Sequence, residues 1–428
     1  MIAGREKQHS DRLPDIPDYD MKLLPIAAIY GGNASGKTNL FMAIKFARQL
    51  IITGTQPEAL IPVEHFRLDP ACSTRPTRFK FELLVGDKCY EFSFAVIRKR
   101  VVEEKLVEIL KTKEKMLYDR KEDKIAFAKQ LKDEAFLKFA FKGTRENQLF
   151  LTNAVNQKVD TFRPIYDWFK NQLELISPDT RFAPFEQFIQ EDHPLYGTMN
   201  TMLSLLDTGI AHLGGEEMPF DNIPIPDALK SKVQAELPEG KTVRLLTAPF
   251  NERYLVTRQG GDFKAHKLVC FHRDVNGQEI KFDMQLESDG TQRSIDLLPA
   301  FLDMTRFDAT KVYVIDELDR SLHGLLTRRL LEFFLSACNK NSRTQLLFTT
   351  HDLLLMDQKL LRREEMWVTE RAQDGNSTFF SFSDYKDVRY DKDVRKSYLQ
   401  GRLGGIPNIL MSSFSHTVPA SSPIEEQP

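Results

Sequence analysis

The stretch Ile26–Asn39, IAAIYGGNASGKTN, constrains the fold of this chain more than any other. Its first five residues form a short apolar run of the kind that makes a buried strand. The run leads directly into Gly31-x4-Gly36-Lys37-Thr38, which fills every fixed position of the G-x4-G-K-[ST] phosphate-binding pattern. Apolar residues then recur at helical spacing at Leu40, Phe41, Ile44, Ala47 and Leu50. Strand, glycine loop and helix thus follow in the order that phosphate binding requires. Glycines let backbone N–H groups turn inward around a polyphosphate, and the helix aims its partially positive N-terminus at the same anion. Gly31, Asn33, Ala34, Ser35, Gly36, Lys37, Thr38 and Asn39 are therefore the expected nucleotide contacts. Lys37 is expected to reach the β- and γ-phosphates and the Thr38 hydroxyl to hold Mg²⁺.

Three later stretches extend the site. Lys311–Asp319, KVYVIDELD, is an apolar strand ending in two adjacent acids. Such a pair can simply cap the next helix. In a chain that also carries the glycine loop, Asp316 is expected as a Mg²⁺ ligand and Glu317 as the base that polarises the attacking water. A second strand, Gln345–Thr350, ends at His351, placed to donate to a γ-phosphate and sense it, although a histidine at a helix start is often structural. Leu286–Leu298, LESDGTQRSIDLL, is a Ser-Asp-Gly-Thr turn opening an apolar helix, another anion-binding helix N-terminus or an ordinary N-cap.

The order of these motifs resembles the ATP-binding-cassette ATPases, in the SMC/RecF-like branch. Ser288 and Gly290 fall on the signature motif, Asp319 with Ser321-Leu322-His323 on the D-loop, and His351 on the switch histidine. Asp289 stands where the family has a second glycine. GGNASGKTNL, ESDGTQRSIDLLP, DELDRSLH, TTHD and YLQGRLGGIP further resemble bacterial AAA ATPases of abortive-infection and phage-defence loci, the ATPase subunits of PARIS-type systems among them. The resemblance implies ATP and Mg²⁺ as cofactors and ATP sandwiched between paired heads, in a homo-oligomer or larger ring. It also implies a separate effector nuclease, of TOPRIM type in PARIS-like systems, and a phage-encoded trigger. Gln148 and Gln157 are candidates for the Q-loop and stay outside the site.

The implied fold class is α/β, a P-loop NTPase of ABC type with an antiparallel β subdomain and an inserted helical subdomain. Residues 1–20, polar with Pro14 and Pro17, read as a flexible or loosely docked arm. Residues 21–101 read as the first head lobe, where Phe79–Val96 alternates around Gly86-Asp87 as a hairpin. Residues 102–222 open within the Lys/Glu-rich run VVEEKLVEILKTKEKMLYDRKEDK, which starts at Val101, and read as a mainly helical insert. Residues 223–410 read as the second lobe, and the Ser/Pro-rich 411–428 as a disordered tail.

A balance of 59 Lys+Arg against 61 Asp+Glu argues against a protein that coats nucleic acid. Arg98-Lys99-Arg100 and Arg362-Arg363 are the basic clusters through which a RecF/SMC-like repair ATPase would contact DNA. Cys72, Cys89, Cys270 and Cys338 are too scattered for a disulfide frame or a zinc site. With no apolar run of membrane-spanning length and a polar start, the expected location is cytoplasmic. The resemblance implies an ATPase that holds and releases or activates a toxic nuclease in phage defence, with a RecF/SMC-like DNA-repair ATPase as the alternative.

Overall fold

The computed structural model describes residues 1–129, 131, 134–180, 195–247, 252–385 and 393–405. Its centre is a six-stranded sheet in the order Ser377–Ser381, Met366–Arg371, Ile26–Tyr30, Gln345–Thr349, Val312–Ile315, Leu173–Ile176. All neighbours are parallel except the outermost Ser377–Ser381, which turns back along Met366–Arg371. Phe348 pairs with both Ala28 and Ile315. The register therefore brings the carboxyl ends of the glycine-loop strand, the acidic-pair strand and the histidine strand to one edge. That edge is where ligands bind in open parallel sheets.

Each central strand is buried on both faces, as parallel strands require. Tyr313 and Ile315 point into one core and Val314 into the other, following the two-residue period of a strand. The first core is built by helices Asp289–Met304 and Gly324–Ala337. The second receives Phe41, Ala47, Leu50 and Ile51 from helix Lys37–Thr53. The helix that carries the glycine loop is thereby clamped between the central sheet and an antiparallel sheet.

That antiparallel sheet has five strands: Thr77–Val85, Lys88–Val96, Val101–Ile109, Glu114–Lys121 and Lys124–Phe127. The hairpin expected at Gly86-Asp87 is present, with Val85 opposite Lys88. The helical reading of the Lys/Glu-rich run is overturned, because residues 101–127 form three strands of this sheet. Leu106, Val107, Leu117 and Tyr118 bury the apolar part of these strands. The abundance of Lys and Glu gave the run its helix-like composition. Helices begin only at Glu134–Lys142 and Phe150–Asn156. The same stretch also supplies Leu173–Ile176 to the central sheet and Ile210–Pro219 to a further antiparallel sheet with Thr242–Thr247, Glu252–Gln259, Asp262–Arg273 and Glu279–Asp283.

The N-terminal arm is docked, against the expectation of a loose segment. Glu364 accepts from the backbone N–H of Gly4 at 2.9 Å and of Glu6 at 3.1 Å, and Arg362 donates to Glu6 O at 2.7 Å. Arg12 pairs with Glu365, whose side chain is fully buried. The same contacts remove one basic cluster from the surface: Arg362 is 0% exposed and Arg363 3%, so this pair cannot meet a phosphate backbone. The Ser/Pro-rich tail, 411–428, lies outside the described residues. Among the described residues no helix is long and apolar enough to cross a membrane.

Candidate functional site

The glycine loop is held in shape by close neighbours. Ala34 takes φ 59°, Gly36 φ 111° and Gly31 φ 154°. A Cβ on Gly31 would stand 2.7 Å from Ser35 Oγ, and one on Gly36 would overlap Ser377. Both positions thus need glycine for space as well as for conformation. Thr369 Oγ1 donates to Ser35 O at 2.9 Å, tying the loop to the neighbouring strand. The helix begins at Lys37, so the free N–H groups of its first turn face the loop's concavity.

Lys37 is 6% exposed, and its Nζ donates to Gly31 O at 2.8 Å and Gly32 O at 3.0 Å. Burial lowers its pKa, while Glu317, Asp316 and Asp319 pull the other way. Ser35 Oγ is buried within the loop without a hydrogen-bond partner. A buried ammonium spanning two carbonyls and an orphaned hydroxyl, both on an anion cradle, fit the triphosphate expected here.

The two acids sit as the register dictates. Asp316 is 1% exposed, and its Oδ1 accepts from Thr349 Oγ1 at 2.6 Å. Thr349 Oγ1 in turn accepts from the Glu317 N–H at 2.8 Å. Glu317 adopts φ 49°, a conformation uncommon outside glycine, which swings its carboxylate away from the strand. Arg320 Nη1 lies 3.8 Å from Glu317 Oε2 and 3.3 Å from Asp179 Oδ1. His351 follows the next strand, and its N–H donates to Asp319 Oδ2 at 3.2 Å. Partial desolvation, then the nearby Lys37 ammonium, hold the imidazole below its ordinary pKa. A neutral ring at pH 7 carries one donor and one acceptor nitrogen.

Loop residues 33–39, Glu317 and His351 line one cleft of about 530 Å³. Asp316 and Gly31 do not line it: Asp316 is bound to Thr349, and Gly31 O accepts from the Lys37 ammonium. Ser288 and Gly290 are elsewhere. Ser288 is exposed and caps helix Asp289–Met304 by accepting from the Thr291 N–H at 3.1 Å. A Cβ on Gly290 would meet Ser321 O at 2.7 Å, so the Ser-Asp-Gly turn packs on the D-loop outside the cleft. Gln148 and Gln157 do not line the cleft either. Sequence reasoning missed Thr349, which reads as an ordinary strand residue until its two hydrogen bonds are seen. It also missed Phe66, Leu68, Arg371 and Ser377, which complete the cleft from two segments distant in sequence.

A family model described as "AAA domain, putative AbiEii toxin, Type IV TA system" matches residues 26–357. Among solved structures, an SMC head bound to the C-winged helix domain of ScpA is 11% identical, with TM-score 0.33, covering 86% of this chain and 95% of that one. An SMC head domain from Thermotoga maritima is 14% identical, with TM-score 0.30, covering 86% and 96%. Both likenesses are loose, and the P-loop α/β fold rests on the strand order and glycine loop themselves. No curated protein matches the sequence. The family match spans most of the chain, from the glycine-loop strand to beyond His351, and the chain belongs to this AAA-domain family.

Proposed function

We propose that the chain is an ATPase whose nucleotide-driven pairing controls a separate toxic effector in phage defence. The observation that supports the enzymatic part is the single cleft lined by Lys37, Glu317 and His351. In this reading the Lys37 ammonium leaves the Gly31 and Gly32 carbonyls for the β- and γ-phosphate oxygens, and the loop N–H groups take the remaining charge. Glu317 accepts a proton from water as the water oxygen bonds to the γ-phosphorus. The bond from that phosphorus to the β–γ bridging oxygen then breaks, leaving ADP and phosphate. His351 donates to the γ-phosphate. Thr38 and Asp316 would hold Mg²⁺, which when bound supplies neutralisation of charge on the β- and γ-oxygens.

The exposed turn at Ser288 and Gly290 is available to a second copy, whose glycine loop it would cover in an ATP-dependent head pair. The family description names an AbiEii toxin and a Type IV toxin–antitoxin system, which supports a partner effector. A TOPRIM-type nuclease and a phage-encoded trigger are the finer form of this proposal, as in PARIS-like systems. The test is purification of tagged Glu317→Gln protein with ATP from its own host locus, with nuclease digestion and mass spectrometry of what accompanies it. A stoichiometric nuclease without DNA is the expected result. Bound DNA without a protein partner would replace this reading by a RecF/SMC-like one.

A further inference from the structure

The cleft extends past what a triphosphate needs. Its far wall comes from Phe66 and Leu68, in the segment between the glycine-loop helix and the antiparallel sheet, and from Arg371, on the hairpin of Met366–Arg371 and Ser377–Ser381, whose Ser377 abuts Gly36 at the phosphate end. These two segments touch. A Cβ on Gly375, at the hairpin turn, would overlap Leu68 and lie 3.5 Å from Arg371 Nη2. The guanidinium therefore sits at the hairpin turn beside Leu68.

Three features of this wall point to a flat apolar ligand with π-faces. Phe66 is half-buried and, among the described residues, packs against no other aromatic ring. Leu68 is 61% exposed into the same space. Arg371 is exposed, and among the described residues has no carboxylate partner. An aromatic ring, an aliphatic side chain and an unpaired guanidinium together make a stacking surface for a nucleobase.

The same wall is poor at reading the base's edge. The only carboxylate among the described lining residues is Glu317, which belongs to the Lys37 end. Selecting guanine calls for an acceptor opposite its N–H groups, and rejecting it calls for buried polar groups that it would leave unpaired. The Ser377 side chain sits against Gly36 and so belongs to the phosphate end as well.

We infer that Phe66, Leu68 and Arg371 hold the purine base by stacking, and that the site takes ATP and GTP with affinities within about tenfold of each other. This rests on the nucleotide-binding reading above and names its substrate class as purine nucleoside triphosphates.

Equilibrium titration of the full chain with ATP, GTP and inorganic tripolyphosphate tests it. Phe66→Ala and Arg371→Ala are each expected to weaken both nucleotides about tenfold and leave tripolyphosphate unchanged. Both side chains reach solvent, and thermal melts will show the variants folded. An equal loss of tripolyphosphate would make Arg371 a phosphate ligand and overturn the assignment. Unchanged nucleotide affinity in both variants would do the same, as would a wild-type preference for ATP over GTP above about 100-fold. Wild-type protein that binds neither tripolyphosphate nor nucleotide would instead bring down the nucleotide reading, and this inference with it.

Discussion

Thr349 Oγ1 donates to Asp316 Oδ1 at 2.6 Å while accepting from the Glu317 N–H, so one hydroxyl fixes both acids of the site. The Asp316 side chain is thereby oriented, and Glu317 is kept in its left-handed conformation. Thr349→Val would leave a buried acceptor and an N–H without a partner, at a cost of about 1–3 kcal/mol. The expected outcome is a lower melting temperature and ATP turnover reduced about tenfold or more with little change in KM. Thr349→Ser should restore both.

Lys37 and Glu317 separate binding from chemistry. Lys37→Ala removes the cation aimed at the phosphates, and nucleotide binding should fall below detection in a titration that reads the wild type easily. Glu317→Gln keeps the shape but cannot accept a proton. Turnover should drop about 10²–10⁴-fold with ATP still bound, and the variant should accumulate as a nucleotide-bound pair in size-exclusion chromatography with ATP. Wild-type hydrolysis by Glu317→Gln would remove it from the role of base.

His351 gives a pH signature. Its folded pKa lies below the ordinary value of about 6.5, so between the two the unfolded chain binds more protons. Its contribution to stability is present above about pH 6.5 and lost as pH falls through the folded value. A bound triphosphate would favour the charged imidazole and raise that value. Calorimetric titration near pH 6 in buffers of different ionisation enthalpy should therefore show proton uptake on ATP binding, reduced in His351→Gln.

Glu104 pins the antiparallel sheet to the helices behind it. Fully buried, it accepts from the N–H groups of Phe150 at 2.6 Å and Leu151 at 2.9 Å, from the Tyr118 hydroxyl at 2.9 Å and from Arg120 at 3.4 Å. Glu104→Ala would strand the buried Arg120 charge, and denaturant unfolding should report a loss of about 3–5 kcal/mol.

The docked arm makes a similar prediction at the other end of the chain. Arg12 and Glu365 are both buried, and Arg12→Ala leaves the carboxyl facing its remaining partner, the Arg362 N–H, at 2.8 Å. The melting temperature should fall, by an amount that corresponds to about 3–5 kcal/mol if the arm stays docked. Arg362→Ala should likewise act on stability and leave any salt-sensitive DNA binding unaltered.

Local patterns carried much of this protein. The glycine loop, the apolar run before Asp316 and Glu317, and the strand before His351 each encode their conformation within a few residues. Backbone geometry and side-chain period decide such elements without help from distant parts. The hairpin at Gly86-Asp87 was legible for the same reason. Residues 101–127 were not, because a run rich in Lys and Glu has the composition of a solvated helix and carries no clean two-residue alternation. Only pairing with Lys88–Val96 decided for strand. Arg362 and Arg363 read as a surface cluster, since nothing local reveals that the first residues of the chain return to cover them. Thr349, Phe66 and Arg371 acquire meaning only through neighbours far away in sequence. The sequence by itself determined which groups could bind phosphate. The tertiary structure decided which side chains face that phosphate and its base, because their placement depends on strand order and packing across the whole chain.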